Sequence, residues 1–267
     1  MKSFMSKIKR LIRINKDGLL GILISLGLWE FLAISNNAII FPKPSDVFNY
    51  LLSILMDSEL YIHVFVTLQR LTIGLFGGIM LGSLLGISIS VSKICSMIFL
   101  RFIYFLQSVP PILFVTIAMV WFGMDGEATV FLVSITTCPI MAIALKEGWD
   151  NIDGKLMEVA QSFQFSKSEV LWHIILPSLK ITFKSTIIIL ISLGWKMAIM
   201  GEVFCSGKGI GAQIMEARLN LETYKVFAWG FMTVLLCIVL QKIVRFIYSS
   251  NKGKENDLTI AECFQKN

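Results

Sequence analysis

LTIGLFGGIMLGSLLGISISVS, residues Leu71 to Ser92, decides the class of fold. It holds no charged side chain, and as a helix it is long enough to cross a hydrocarbon core of about 30 Å. A second charge-free run, Phe102 to Met124, follows closely. Working outward, six segments read as spans, roughly 17–35, 66–92, 97–122, 128–145, 183–204 and 226–248. Backbone polar groups in lipid must be satisfied within the segment, which selects helices for runs of this length. The expected fold is all-α, a polytopic membrane protein with six transmembrane helices.

The rest of the composition agrees. The chain is 55% hydrophobic and only 16% charged, against about 25% charged in soluble domains. Its net charge of +6 reads as membrane orientation and not as nucleic-acid binding. With the N-terminus inside, 18 lysines and arginines lie on the cytoplasmic side and five on the other; Lys196 falls within a span. Positive charge collects inside, so both termini are expected on the cytoplasmic side of the membrane. The expected divisions are a cytoplasmic segment 1–16, a membrane domain 17–248 with a cytoplasmic loop 146–184, and a tail 249–267. The first apolar stretch exceeds the usual signal-peptide core and is read as a retained helix. Five cysteines with no CxxC pair suggest neither a disulfide framework nor a metal site.

Local signals refine this picture. Phe41-Pro42-Lys43-Pro44-Ser45 cannot sit within a helix, and Ser45 is a candidate N-cap for a short amphipathic surface helix, Asp46 to Met56. Gly74, Gly78, Gly82 and Gly86 recur every four residues and lay a smooth stripe along the second span for helix packing. The same stripe could border a transport path. Gln107 precedes Pro110-Pro111, which remove two backbone donors and break the third span. Trp121 and Phe122 fit the outer interface. In the long loop, Leu156, Val159, Ala160 and Phe163 give one apolar helical face. Ser166 and Glu169 fit a capping box that restarts a helix, which Pro177 is expected to end.

Glu158-Val159-Ala160, Gln164, Ile174 and Leu176-Pro177 together resemble the EAA loop of ABC-importer permeases. The family pattern is Glu-Ala-Ala, three residues, Gly, nine residues, Ile, one residue, Leu-Pro. Val159 and Gln164 depart from it; the spacing does not. Phe41 to Ser45, Gln69-Arg70-Leu71, Pro110-Pro111 through Trp121-Phe122-Gly123, and Gly194-Trp195 through Glu202 resemble the nitrate, sulfonate and taurine branch. The resemblance implies the type I ABC-importer permease architecture and a homodimer in the membrane lipid. It also implies two cytoplasmic ATPases that bind ATP and Mg, with no cofactor in this chain, and an external solute-binding protein. The solute would be a small anion such as nitrate, a sulfonate or taurine, or a vitamin precursor. Where the pattern has Gly, Gln164 would cost about 1–2 kcal/mol if that turn is left-handed.

Two other classes of membrane protein compete with this reading. A secondary transporter needs titratable groups deep in several spans, and this chain offers Glu30, Lys196 and Glu202. A membrane enzyme needs a clustered catalytic set, but His63 and His173 fall on opposite expected sides. Gly207-Lys208-Gly209 lacks the upstream Gly and the hydroxyl residue of a phosphate loop. Lys196 and Glu202 lie about 9 Å apart along a helix and on different faces, so each needs its own partner. Both are candidates, with Gln107, Pro110 and Pro111, for the translocation path. Arg70 is expected to snorkel to the headgroups.

Overall fold

The computed structural model describes residues 20–265 other than 22, 35, 36 and 38, with side chains as far as Phe246. Every regular element among them is helical. They are α1 (Leu23–Ile34), α2 (Pro44–Met56), α3 (Ser58–Val91), α4 (Lys93–Ser108), α5 (Pro111–Phe122), α6 (Gly126–Asp150) and α7 (Gly154–Ser162). Then come α8 (Lys167–Cys205), α9 (Ile210–Leu219) and α10 (Thr223–Gln265). Four helices are long and apolar enough to span, α3, α6, α8 and the Thr223–Phe246 part of α10. The α4–α5 pair, bent by 97°, is a fifth. The first expected span falls on α1, whose described apolar part is shorter; residues 17–19, 22 and 35 of it lie outside the described residues.

The chain divides into two compact units. One holds α1, α2 and residues 213–232. Here Trp29 packs on Phe41, Phe227 and Phe231 with ring centroids 5.8 to 6.4 Å apart, and its indole N–H donates to the Pro42 carbonyl at 3.0 Å. This seats the proline-punctuated entry. Ser45 does not cap α2: Pro44 occupies its first turn and Lys43 is the cap residue. Proline suits that turn because its missing N–H would have had no helical partner. Val47 and Ile54 bury one face of α2, while Phe48, Leu52 and Leu55 stay exposed.

The other unit spans residues 61–212 and 233–267. Its spine is the glycine stripe of α3 against α6. A Cβ on Gly74 would lie 2.6 Å from the Cβ of Val133, one on Gly82 2.7 Å from that of Met141, and one on Gly86 2.9 Å from the Ala142 carbonyl. Gly78 is equally closed, 2.9 Å from the Ser134 carbonyl. The stripe is thus a backbone-to-backbone packing surface, strengthened by a 2.9 Å bond from the Ser134 hydroxyl to the Gly74 carbonyl. The partners rise together, from Val133 to Leu145 as the glycines run from 74 to 86, so α3 and α6 are parallel. A parallel pair needs one return crossing between its members, and only α4–α5 lies there. The bent pair therefore counts as one span, broken where expected, at Val109 and Pro110. α8 runs opposite to α6, with Thr182 against Gly148 and Gly201 against Thr129.

Candidate functional site

Three regions hold the residues singled out from sequence. The first is the loop between α6 and α8. Asp153 caps α7 by accepting from the Lys155 N–H at 2.9 Å. α7 closes in a Schellman turn: the Phe165 N–H donates to the Ala160 carbonyl at 2.9 Å and the Gln164 N–H to that of Gln161 at 3.0 Å. That turn puts Gln164 at φ +55°, so the position is left-handed and the Gln carries the strain. Ser166 and Glu169 form the expected capping box. Along this loop Leu156, Glu158, Val159 and Phe163 are exposed, Phe163 by 73%.

Two expectations are corrected here. Ala160, expected on one apolar face with Leu156, Val159 and Phe163, is only 2% exposed and is covered within the chain, while the other three are exposed. Pro177 does not end the helix. Residues Leu171–Ile175 form a π turn, with the Leu176 N–H reaching back to the Leu171 carbonyl, and α8 continues unbroken to Cys205. Widening the backbone by one residue makes room for the proline ring and its missing donor. Ile174 is half-buried, and Leu176 and Pro177 are exposed. Sequence reasoning did not pick out Met157, Phe165 and Trp172, which extend the exposed apolar surface.

The second region is the break in the third span. Gln107 and Pro111 line a groove of about 280 Å³ with Thr136 and Pro139 of α6 and Leu193 and Met197 of α8. Pro110 is exposed at the bend. Lys196 lies elsewhere: it borders a groove with Trp195, Thr233, Cys237 and Gln241. The structure thus brings the broken span and α8 together, but without Lys196.

The third region is the Cys205 end of α8. Glu202 is fully enclosed. Its carboxylate accepts from the Arg70 guanidinium at 3.0 Å, from the Thr67 hydroxyl at 2.8 Å and from the Gly211 N–H at 3.1 Å. Arg70 therefore does not snorkel; it pairs with Glu202 and also donates to the Lys208 carbonyl at 2.6 Å. A buried carboxylate needs such compensation. Thr67 and Arg70, one turn apart on α3, and the Gly-Lys-Gly-Ile-Gly run were the signals that could have found this cluster. Cys205 is 1% exposed and not available to an aqueous reagent.

The apolar helices and the broken span define a multi-pass α-helical membrane protein. The chain belongs to the family described as binding-protein-dependent transport system inner membrane component, whose model matches residues 78–252. It is similar to the taurine transport system permease protein TauC of Escherichia coli (strain K12), 25% identical over 75% of this chain and 74% of that protein. It is also similar to the putative aliphatic sulfonates transport permease protein SsuC of the same strain, 30% identical over 69% of this chain and 70% of that one. Among solved structures, a bacterial ABC transporter involved in the import of the acidic polysaccharide alginate matches with a TM-score of 0.60 at 14% identity. That match covers 88% of this chain and 94% of that one. The chain is accordingly an ABC-importer permease of the nitrate, sulfonate and taurine type, an inner-membrane transport subunit and not an enzyme.

Proposed function

We propose that this permease carries a small solute with a strong-acid anionic group, a sulfonate such as the zwitterion taurine, or nitrate, and that a separate ATPase drives it through the loop from Asp153 to Pro177. The observation that carries the coupling is the exposed apolar set Leu156, Val159 and Phe163 beside the Glu158 carboxylate, on a helix closed by a defined turn. An apolar face of this kind needs a partner. The charge distribution supports both termini, and this loop, in the cytoplasm. ATP and Mg are then bound by the partner. A second copy of this chain completes the path, lined by Gln107, Pro110 and Pro111 and by α8, and an external binding protein delivers the solute. The names of the relatives support the anion; a vitamin precursor such as a pyrimidine is the alternative within the same branch.

The test is uptake of radiolabelled taurine by cells expressing the permease with its ATPase and binding protein, with competitors. Sulfonates and nitrate should compete and a neutral pyrimidine should not. Uptake should stop when ATP is depleted and survive collapse of the proton gradient. Competition by the pyrimidine alone would replace the anion reading, and sensitivity to the proton gradient alone would favour a secondary transporter.

A further inference from the structure

The loop after α8, Gly207-Lys208-Gly209-Ile210-Gly211, resembles a phosphate loop in composition but meets no nucleotide requirement. In the structure it wraps the Glu202 side chain instead. Three successive backbone N–H groups are engaged: Gly209 donates to His63 Nδ1 at 3.2 Å, Ile210 to the Thr67 hydroxyl at 3.0 Å, and Gly211 to Glu202 at 3.1 Å. Gly209 has φ +114°, and a Cβ there would collide with the Glu202 carboxyl group. A Cβ on Gly211 would lie 2.6 Å from that of Glu202. Both glycines are thus required by the close approach of this backbone to one carboxylate.

We propose that Glu202 is a positioning residue for transport: its carboxylate is the resident anion of a seat built by Arg70, Thr67 and Gly211, and it fixes residues 206–211 against α3. The chemistry is specific to a carboxylate. Two oxygens are used, one by the guanidinium and the other by a hydroxyl and a backbone amide, and a carboxamide would present an N–H to donors at one of them. The seat is also reachable. Arg70 keeps 15% of its side chain exposed and lines a cavity of about 700 Å³ with Gln69, Asp125, Glu127 and Lys208. Because α8 is unbroken from Lys167, over about 58 Å at helical rise, the seat ties the far end of the helix that begins at the exposed loop.

Cutting Glu202 back to Ala removes a group with the size and charge of acetate, which supplies the test. The readouts are maleimide labelling of Cys205 in a chain keeping that cysteine alone, and ATPase activity of the reconstituted complex recovered through a tagged permease. Glu202→Ala should label at least about tenfold faster and lose most ATPase activity, since truncating one partner of a buried hydrogen-bonded charge pair is costly. Millimolar acetate should reverse both effects and acetamide neither. Gly209→Ala keeps every charge and provides a second variant if Glu202→Ala does not assemble; it should raise labelling and depress ATPase activity in the same direction. Rescue by acetamide as well as by acetate would make the site a packing void. Failure of acetate to rescue Glu202→Ala, faster labelling with undiminished ATPase activity, or a Gly209→Ala variant equal to the parent, would overturn the proposal.

Discussion

Replacing Phe163 with Asp separates docking from folding. Phe163 is 73% exposed in the isolated chain, so the permease itself should lose no more than about 0.5 kcal/mol, the usual range for surface changes. If a partner covers the ring, burying the remaining surface contributes about 1.5–2 kcal/mol, and an unpaired carboxylate in that place adds a desolvation penalty. A total loss of 2 kcal/mol or more weakens binding by about 30-fold or more. Ala160→Asp is the contrasting variant. Ala160 is 2% exposed, so a charge there is buried in the chain's own unit and should destabilise the fold. The assay is the dissociation constant of the ATPase for permease in lipid nanodiscs, with thermal unfolding measured beside it. The expected pattern is Phe163→Asp with a normal melt and weak binding, and Ala160→Asp with a lowered melt. Tight binding by Phe163→Asp would refute the reasoning, because no ring at the heart of an interface tolerates that change.

Other substitutions check the packing, the strained turn and the orientation. Gly82→Ala, whose Cβ would lie 2.7 Å from that of Met141, should cost about 1–3 kcal/mol in overpacking, more than the ~1 kcal/mol of helix propensity it gains; Gly27→Ala, with nothing within 4 Å, should keep only the gain. Opposite shifts in melting temperature are expected, and equal shifts would remove the packing role of the stripe. Gln164→Gly should relieve the +55° φ and stabilise the loop by about 1 kcal/mol, read as slower proteolysis between Phe163 and Lys167; faster cleavage would contradict a strained turn. For orientation, a cysteine at the exposed Met124 position should react with impermeant maleimide in intact cells and one at Phe163 should not. The reverse pattern would invert the topology.

The spans were legible because lipid imposes length and apolarity together, and neither needs a tertiary partner to be seen in sequence. The proline break and the capping box at Ser166 and Glu169 were legible for a similar reason, as each is decided by local backbone chemistry. Pro177 shows the limit of that logic. A proline forbids an α-helical bond, but whether the chain stops or widens into a π turn depends on what the following helix gains by continuing. Burial across the α7 face was not legible either. Leu156 and Ala160 share a helical stripe, yet Ala160 is covered and Leu156 is 46% exposed, because the covering comes from elsewhere in the unit. Arg70 and Glu202 were both visible as charges out of place. Their pairing was not, since they stand far apart in sequence and only the packing of α3 beside α8 joins them.

The distribution of rigidity in the larger unit suggests how a push on the loop would travel. At the Cys205 end, α8 is held to α3 by Glu202 and by Gly194 against Leu71 and Leu75, and to α6 by Gly201 against Thr129. Backbones this close cannot slide without breaking several contacts together. At the Lys167 end, α8 begins with exposed residues and a π turn between Leu171 and Ile175, an irregularity of the kind often found at functional sites. A movement imposed on α7 would reach the π turn at Leu171–Ile175 first and the Glu202 seat last. Under the coupling proposed above, a tilt of α8 about Glu202 would alter the groove where Gln107 and Pro111 face Leu193 and Met197, which lies about three-quarters of the way from the π turn to Glu202 at a uniform helical rise, so the groove would move less than the loop does.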